Sequence, residues 1–296
     1  MIYIDSADLE NPYSSMPIVK RFPNGEKKYM IPEIPAEGIL DITMIYEDDS
    51  EFFDLLCIVD SILRNNPNTE FVLNLPYVPY SRMDRIESKT DSLSLKSFAS
   101  FVNNLIKPKR IKCLDAHSDV TLAVFDAPVI NHVPQIDMVK KNFSHTDTLL
   151  VFPDATAVKR YKKLFSEYQS VSINKEHDFQ TGKIISSTLV KSGNISDEFL
   201  WNIKNVVIVD DICSKGGTFL LASKLIKENI GHEDYVINLV VAHCEASIFE
   251  GELFKENSPF NGKVYCTNSM PAMVEHLNML KDLIHPPANR FVITNY

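Results

Sequence analysis

The sequence predicts an α/β protein built on a mostly parallel sheet, and two observations carry that expectation. Short apolar runs rich in Val, Ile and Leu alternate with segments of helical period, which is the pattern of strands joined by crossover helices. Asp84, Asp115, His117, Asp154, Asp210 and Asp211 each fall just after such a run. In an open parallel sheet the carboxyl ends of the strands are where ligands bind. Polar residues at strand ends also make ordinary turns, but turns do not call for carboxylates and a histidine at one strand end after another.

The elements follow in chain order. "TEFVLNLPY" reads as a strand, and "SLSLKSFASFVNNLIK" as a helix with Leu95, Phe98, Val102, Leu105 and Ile106 near helical spacing. "RIKCLDAH" is strand-like. "TLLVFPDATAVKRYKKLFSEY" is a strand, a short loop and a helix, and "QSVSIN" is a further strand. "NKEHDFQTGK" reads as a mobile polar loop. "NVVIVDD", "DYVINLVVAHC" and "GKVYCTN" are strands, with "TFLLASKLIKEN" a helix after the first of them. A polar stretch with a proline, "NHVPQIDMVKKN", marks a boundary and divides the chain into residues 1–138 and 139–296.

The 296 residues suffice for two ordinary domains, and 45% of them are apolar. A formal charge of −9 argues against a sequence-independent grip on nucleic acid, while leaving room for a local anion site. Cys57, Cys113, Cys213, Cys244 and Cys266 are scattered without a CxxC pair, which reads as reduced, buried thiols in a cytoplasmic protein. No secretory signal is visible at the acidic start, and no apolar run reaches membrane-spanning length.

The most informative stretch is "NVVIVDDICSKGGTF", Asn205 to Phe219. It is neither a Walker A loop nor a Gly-x-Gly-x-x-Gly. A strand, a glycine loop and a helix starting near Thr218 nevertheless make an anion site. Backbone N–H groups point into the loop, and the helix N-terminus carries partial positive charge. Gly216 and Gly217 let a phosphate approach the backbone. Asp210 and Asp211 can accept hydrogen bonds from a vicinal diol or hold a hydrated metal. A ligand with a phosphate at one end and a diol at the other is a 5-phosphorylated ribose.

"VVIVDDICSKGGT" resembles the phosphoribosyl-binding motif shared by type I phosphoribosyltransferases and phosphoribosyl diphosphate (PRPP) synthetases. The motif alone does not separate a user of PRPP from a maker, but the first half of the chain favours the maker. "RFPNGE" resembles the synthetases' RF-x-D-GE adenine loop, and "PYVPYSRMDR" their PY-x-x-Y-x-RQDR segment. "DAHSD" resembles their D-x-H metal and ATP loop, and "FPDAT" their SPD-x-GG diphosphate loop. "AHCEAS" and "TNSMP" are looser matches to the THP-x-x-S and TDTIP segments. The order is preserved over nearly the whole chain.

The resemblance implies two type I phosphoribosyltransferase-like domains, each with a mostly parallel sheet flanked by helices. It implies a transferase that moves the β,γ-diphosphoryl group of ATP to the 1-hydroxyl of ribose 5-phosphate, giving PRPP and AMP. ATP falls to Phe22, Asn24, Glu26, Arg82, Met83, Asp84, Arg85 and His117. The acceptor falls to Asp210, Asp211, Ser214, Lys215, Gly216, Gly217 and Thr218, and the diphosphate loop is Asp154, Ala155, Thr156 and Ala157. Magnesium, or manganese, is assigned to His117 and Asp154, and catalysis to Lys175 with Asp210 and Asp211. In the family the adenine loop completes a neighbour's site, so a homo-oligomer is expected.

The departures are specific. Glu176 replaces an arginine after the family's mobile lysine, leaving Lys183 or Arg160 as replacement cations. Thr156 and Ala157 replace the diphosphate-loop glycines, Met83 replaces glutamine, and Ser214-Lys215 replaces Asp-Thr. The added Lys215 suits a longer anion such as ADP-ribose, which keeps a free anomeric hydroxyl, so transfer onto ADP-ribose in NAD rebuilding is the alternative. A phosphoribosyltransferase is disfavoured by the RFPNGE and RMDR segments. A non-catalytic regulatory relative is the third reading.

Overall fold

The computed structural model describes residues 1–6, 14–31, 39–177, 184–191, 195–232, 234–282 and 289–296. Its contacts divide into two units, Met1–His132 and Val133–Tyr296. The division falls ahead of the helix Pro134–Asn142, so that whole helix belongs to the second unit.

In the first unit the elements run β1 (Ile2–Ser6), β2 (Ser14–Ser15), β3 (Ile18–Arg21), β4 (Lys27–Met30), β5 (Ile39–Met44), α1 (Ser50–Asn65), β6 (Glu70–Leu75), α2 (Ser94–Phe101), β7 (Arg110–Leu114), α3 (Asp119–Ala123) and β8 (Val129–His132). The main sheet has the order β2-β1-β5-β6-β7-β8. Strands β5 to β8 are parallel, and β1 runs antiparallel to both β5 and β2. Period-two alternation sends Leu40, Ile42 and Met44 of β5 into the core, where they meet Leu55, Ile58, Val59 and Ile62 of α1. Glu51 in the first turn of α1 accepts N–H bonds from Glu47 and Asp48 at 3.1 and 2.8 Å and fixes the entry of the helix. The opposite face of the sheet is polar: Asn74 Nδ2 donates to Asp41 and Thr43, and Lys112 pairs with Asp41 at 3.0 Å.

One expected helix is shorter than its pattern. After α2 the chain widens into a π-helical turn over Val102–Ile106, closed by Lys107 in the left-handed region at φ 52°. Two asparagines at 103 and 104 explain the change. Asn103 Nδ2 donates to the Val124 carbonyl and Asn104 Nδ2 to Ser100, so both side chains compete for backbone partners.

In the second unit come α4 (Pro134–Asn142), β9 (Thr148–Phe152), α5 (Ala155–Tyr161), β10 (Gln169–His177), β11 (Ile184–Lys191), α6 (Asp197–Asn202), β12 (Asn205–Cys213), α7 (Gly217–Asn229), β13 (Val236–Cys244), β14 (Val264–Thr267), α8 (Pro271–Asp282) and β15 (Phe291–Thr294). The sheet order is β11-β10-β9-β12-β13-β14-β15, parallel except for β11. Its central strands are buried on both faces, which is why β9, β12 and β13 read as continuous apolar runs. Val206 and Ile208 face a core shared with Phe219, Ala222 and Ile226 of α7, and Val207 and Val209 face Met138, Val139, Ala157 and Tyr161 of α4 and α5.

Two expectations are corrected here. The helix after "FPDAT" closes at Tyr161 rather than running on through "KKLFSEY". Asn174–His177, expected to begin a mobile loop, instead continue strand β10, with Lys175 opposite Ser187 of β11. The alternation "SVSIN" extends into "KEH" because β11 supplies an antiparallel partner that the local sequence does not announce.

The five cysteines are free, and all but Cys57 are buried. Among the described residues no helix is long and apolar enough to cross a membrane.

Phe98 is a sharp test of the first core. It is 3% exposed and packs at 5.0 Å from Phe52 and 6.2 Å from Phe125. Phe98→Ala is expected to lose about 3–5 kcal/mol in urea unfolding. A loss under about 1 kcal/mol would place the ring outside a packed core.

Candidate active site

The second unit assembles its polar residues through strand register. β9 and β12 are parallel neighbours, with Val151 opposite Ile208, so their carboxyl ends lie side by side. Asp154 follows β9 and caps α5, its Oδ1 accepting the Ala157 N–H at 2.9 Å. Asp210 and Asp211 lie near the end of β12. Gln135 of α4 donates through Nε2 to the Asp210 carbonyl at 2.8 Å, and the Asp211 N–H donates to Asp210 Oδ1 at 3.0 Å. Burial first, then the charges of Asp211 and Asp154, push the Asp210 carboxyl well above its ordinary value. Asp211 is 5% exposed and meets the Arg160 guanidinium at 3.3 Å.

The loop beyond the carboxylates is held from outside. Gly216 takes φ +80° at the N-cap of α7, a conformation that favours glycine, and a side chain there would also press on Leu253 at 3.3 Å. The first N–H groups of α7 have no acceptor within the helix and carry its positive end. The Ser214 hydroxyl donates to Glu245 Oε2 at 2.7 Å, and the Ser247 hydroxyl reaches the same oxygen at 3.0 Å. Lys215 pairs with Glu250 at 3.0 Å, both about two-thirds exposed, so the pair adds about 1 kcal/mol at most. Gly251 packs so closely that a Cβ there would lie 1.9 Å from the Lys215 carbonyl oxygen.

"AHCEAS" and "TNSMP" meet behind this loop. His243 Nδ1 lies 2.7 Å from Ser269 Oγ, and the Thr267 hydroxyl lies 2.7 Å from the Ala242 carbonyl and 2.9 Å from Ser269 Oγ. This buried network ties the ends of β13 and β14.

In the first unit, β6 and β7 are parallel, so "PYVPYSRMDR" and "DAHSD" emerge at the same edge. Two non-glycine residues there are left-handed, Tyr80 at φ 62° and Asp115 at φ 35°, a conformation that concentrates at functional loops. Asp115 is buried, its N–H donating to the His132 carbonyl at 2.7 Å. Asp84 is buried beside an exposed Arg85, whose Nε donates to it at 3.0 Å. Burial alone would raise the Asp84 carboxyl. Bonds with Ser118 and Arg85, and the charges of Arg85 and His117, outweigh burial and hold it below its ordinary value. Arg82 and Met83 are exposed.

Phe22, Asn24 and Glu26 stand on the β3–β4 hairpin, a two-stranded sheet of its own. The Phe22 N–H donates to the Glu26 carbonyl at 2.8 Å, Gly25 turns at φ +91°, and Asn24 Oδ1 accepts from Glu26 N at 3.2 Å. The hairpin is anchored on α1, where Lys27 and Tyr29 both bond Asp54 at 2.7 and 2.5 Å. Phe22 is 42% exposed, with the Lys20 ammonium 5.9 Å over its ring.

No family model matches the chain. The ribose-phosphate pyrophosphokinase of Sulfurisphaera tokodaii is 30% identical over 217 residues, covering 71% of this chain and 71% of that protein. The chain belongs to the ribose-phosphate pyrophosphokinase family. The Pyrococcus furiosus pyrophosphokinase is 24% identical over 269 residues, 90% of each chain. A crystal structure of phosphoribosylpyrophosphate synthetase from Mycobacterium smegmatis matches with a TM-score of 0.67 at 19% identity, over 95% of this chain and 86% of that one. That likeness carries the fold: two phosphoribosyltransferase-like halves in the same order.

Against the pyrophosphokinase pattern, the structure gathers Asp154, Asp210 and Asp211 at one edge, with Ser214–Gly216 as the loop and Gly217 and Thr218 in the first turn of α7. Separately, it brings Asp84 beside His117 and Ser118. Thr156 and Ala157 form the first turn of α5 rather than an extended glycine loop. The described residues include Lys175 only as strand backbone, and Lys183 lies outside them. Arg160, considered as a replacement for the arginine lost at Glu176, is engaged with Asp211. Two contributors had not been singled out in the sequence: Glu245 and Gly251. Glu245 stands in the quoted "AHCEAS", where a carboxylate next to a serine was the available signal.

Gly251 gives the prediction. Gly251→Ala must displace the Lys215 carbonyl and is expected to cost about 1–3 kcal/mol in thermal or urea unfolding. Gly231 has nothing within 4 Å of an added Cβ, so Gly231→Ala is expected to be neutral or to stabilise by about 0.4–1 kcal/mol. Equal effects at both positions would refute the buttress.

Proposed function

We propose that the chain transfers the β,γ-diphosphoryl group of ATP to the anomeric hydroxyl of ribose 5-phosphate, yielding PRPP and AMP. The observation that carries this reading is the carboxylate pair Asp210–Asp211 feeding directly into the Ser214–Gly216 loop and the α7 N-terminus, in a chain of the pyrophosphokinase family. A 5-phosphate fits the backbone N–H groups of Gly216, Gly217 and Thr218. The ribose diol fits the carboxylates, with the anomeric hydroxyl directed toward Asp154 and the first turn of α5. Phe22 offers a ring face to adenine, with Asn24 and Glu26 at its edge. Arg82 and Arg85 suit the phosphates, with Met83, Asp84 and His117 in the same loops.

Asp154, Asp210 and Asp211 with one arginine among them carry excess negative charge, which fits a divalent cation arriving with the nucleotide. Among the described residues no three His, Cys, Asp or Glu side chains converge on a point that could hold a metal alone. A Mg²⁺ or Mn²⁺ ion would therefore take ligands from phosphate oxygens as well, with Asp154 in the second unit and, separately, His117 in the first as the protein side chains suited to it. The metal would offset charge on the transferring group, while the chain's residues position the two substrates. The exposed hairpin, with Ile18, Phe22 and Met30 on its surface, supports a homo-oligomer. Free thiols support a cytoplasmic setting.

The deciding assay is AMP release from ATP and Mg²⁺ with each acceptor in turn. AMP with ribose 5-phosphate, abolished by chelator, is expected. AMP with ADP-ribose alone would move the acceptor, and no AMP with either would leave a regulatory relative.

Lys175 is the second test. An ammonium over the transferring phosphoryl group acts in a low dielectric, and removing such a group costs about 10²–10³ in turnover. Lys175→Ala is expected to show that loss at saturating ATP and ribose 5-phosphate, with Lys183→Ala close to wild type. Collapse in Lys183→Ala alone would move the catalytic cation along the chain.

A further inference from the structure

The short helix α5 has its two ends in two parts of the site. Its N-cap is Asp154, and its last turn carries Arg160. At 1.5 Å per residue the two lie roughly 9 Å apart along the axis. The Arg160 guanidinium lies 5.1 Å from the centroid of the Tyr161 ring, itself fully buried, and 3.3 Å from Asp211 Oδ2. Its side chain is 16% exposed and that of Asp211 8%. A long, flexible arginine is thus held between an aromatic ring and a carboxylate, largely out of water. In this geometry an ion pair orients both partners, unlike a surface pair.

The neighbouring groups make this cation matter. Asp154, Asp210 and Asp211 crowd the same strand edge, where the charges of Asp211 and Asp154 both act on the Asp210 carboxyl. A carboxylate among like charges turns away or takes up a proton unless a cation holds it. Turning away removes it as an acceptor for a sugar hydroxyl, and a proton leaves it a weaker one. Lys215, the other cation near the acceptor loop, is directed outward to Glu250.

We propose that Arg160 is a positioning residue for acceptor binding: it holds the Asp211 carboxylate oriented to receive the ribose diol. It does so through Asp211 and not by contact with the transferring phosphoryl group. The proposal rests on the diphosphotransferase reading, and it assigns this guanidinium to the sugar rather than to the position of the arginine lost at Glu176.

The experiment uses the full chain and initial rates of AMP formation, varying ribose 5-phosphate at saturating MgATP and then the reverse. Arg160→Met keeps the bulk and removes the charge. It is expected to raise KM for ribose 5-phosphate by about 10–100-fold, the range for losing a hydrogen-bonded charged partner, with KM for ATP nearly unchanged. Arg160→Lys is expected to recover part of that loss. Adding Arg160→Met to Asp211→Asn is expected to cost far less than the two separate effects combined, since residues acting through one contact are not additive. An unchanged acceptor KM in Arg160→Met, or equal rises for both substrates that lysine does not rescue, would overturn the proposal. Should Arg160→Met not fold, Arg160→Lys decides. A rise of about threefold or more in acceptor KM alone, from loss of the planar fork, supports it, and unchanged constants overturn it. A wild-type protein that forms no AMP with ribose 5-phosphate defeats the functional reading and this inference together. An active wild type with an indifferent Arg160 defeats this inference only.

Discussion

Mutual repulsion among carboxylates is the constraint around which the C-terminal unit is organised. Parallel register delivers Asp154, Asp210 and Asp211 to one edge of the sheet. Like charges brought out of water in this way cost free energy unless they are compensated. The molecule compensates in three ways. Asp154 accepts a helix N–H, Asp211 pairs with Arg160, and the Asp210 carboxyl is pushed toward its neutral form. The first two draw on the two ends of α5, while Gln135 of α4 holds the Asp210 carbonyl. A site that concentrates negative charge without a ligand is suited to one that brings cations with it.

The first unit handles its polar edge differently. There Asp84 and Asp115 are both buried, and hydroxyl and guanidinium partners hold the Asp84 carboxyl below its ordinary value. Backbone conformation does much of the remaining shaping, through left-handed Tyr80 and Asp115. Phe22 stands outside the main sheet, on a hairpin held to α1 by one shared aspartate. Arg82, Asp84 and Arg85 thus stand on a loop at the edge of the main sheet, while Phe22 stands on a smaller appendage.

The apolar pattern made the second sheet legible. β9, β12 and β13 are buried on both faces, so apolar residues run together in them, as in VVIV of β12 and LVVA of β13, instead of alternating with polar ones. The glycine loop and its helix were legible for the same reason, since few local conformations suit "SKGGTF" after a strand. What stayed hidden depends on partners distant in sequence. "NKEH" is a strand because β11 pairs with it. "VNNLI" leaves the α-helical path because Val124 offers Asn103 a carbonyl. The pairing of Arg160 with Asp211 crosses from one element to another, and nothing in "AVKRY" announces which carboxylate the arginine will meet.

The contact between Gly251 and the Lys215 carbonyl bears on how such a loop changes over evolutionary time. The path of the acceptor loop is fixed from behind, by a glycine, by Leu253 and by the Glu245 carboxylate. Phosphate binding through backbone N–H groups depends on that path and hardly at all on side-chain identity. Ser214 and Lys215 can therefore stand where relatives of this kind carry Asp-Thr without dismantling the anion site. Side chains in the loop can change while its backbone stays pinned by a residue far along the chain.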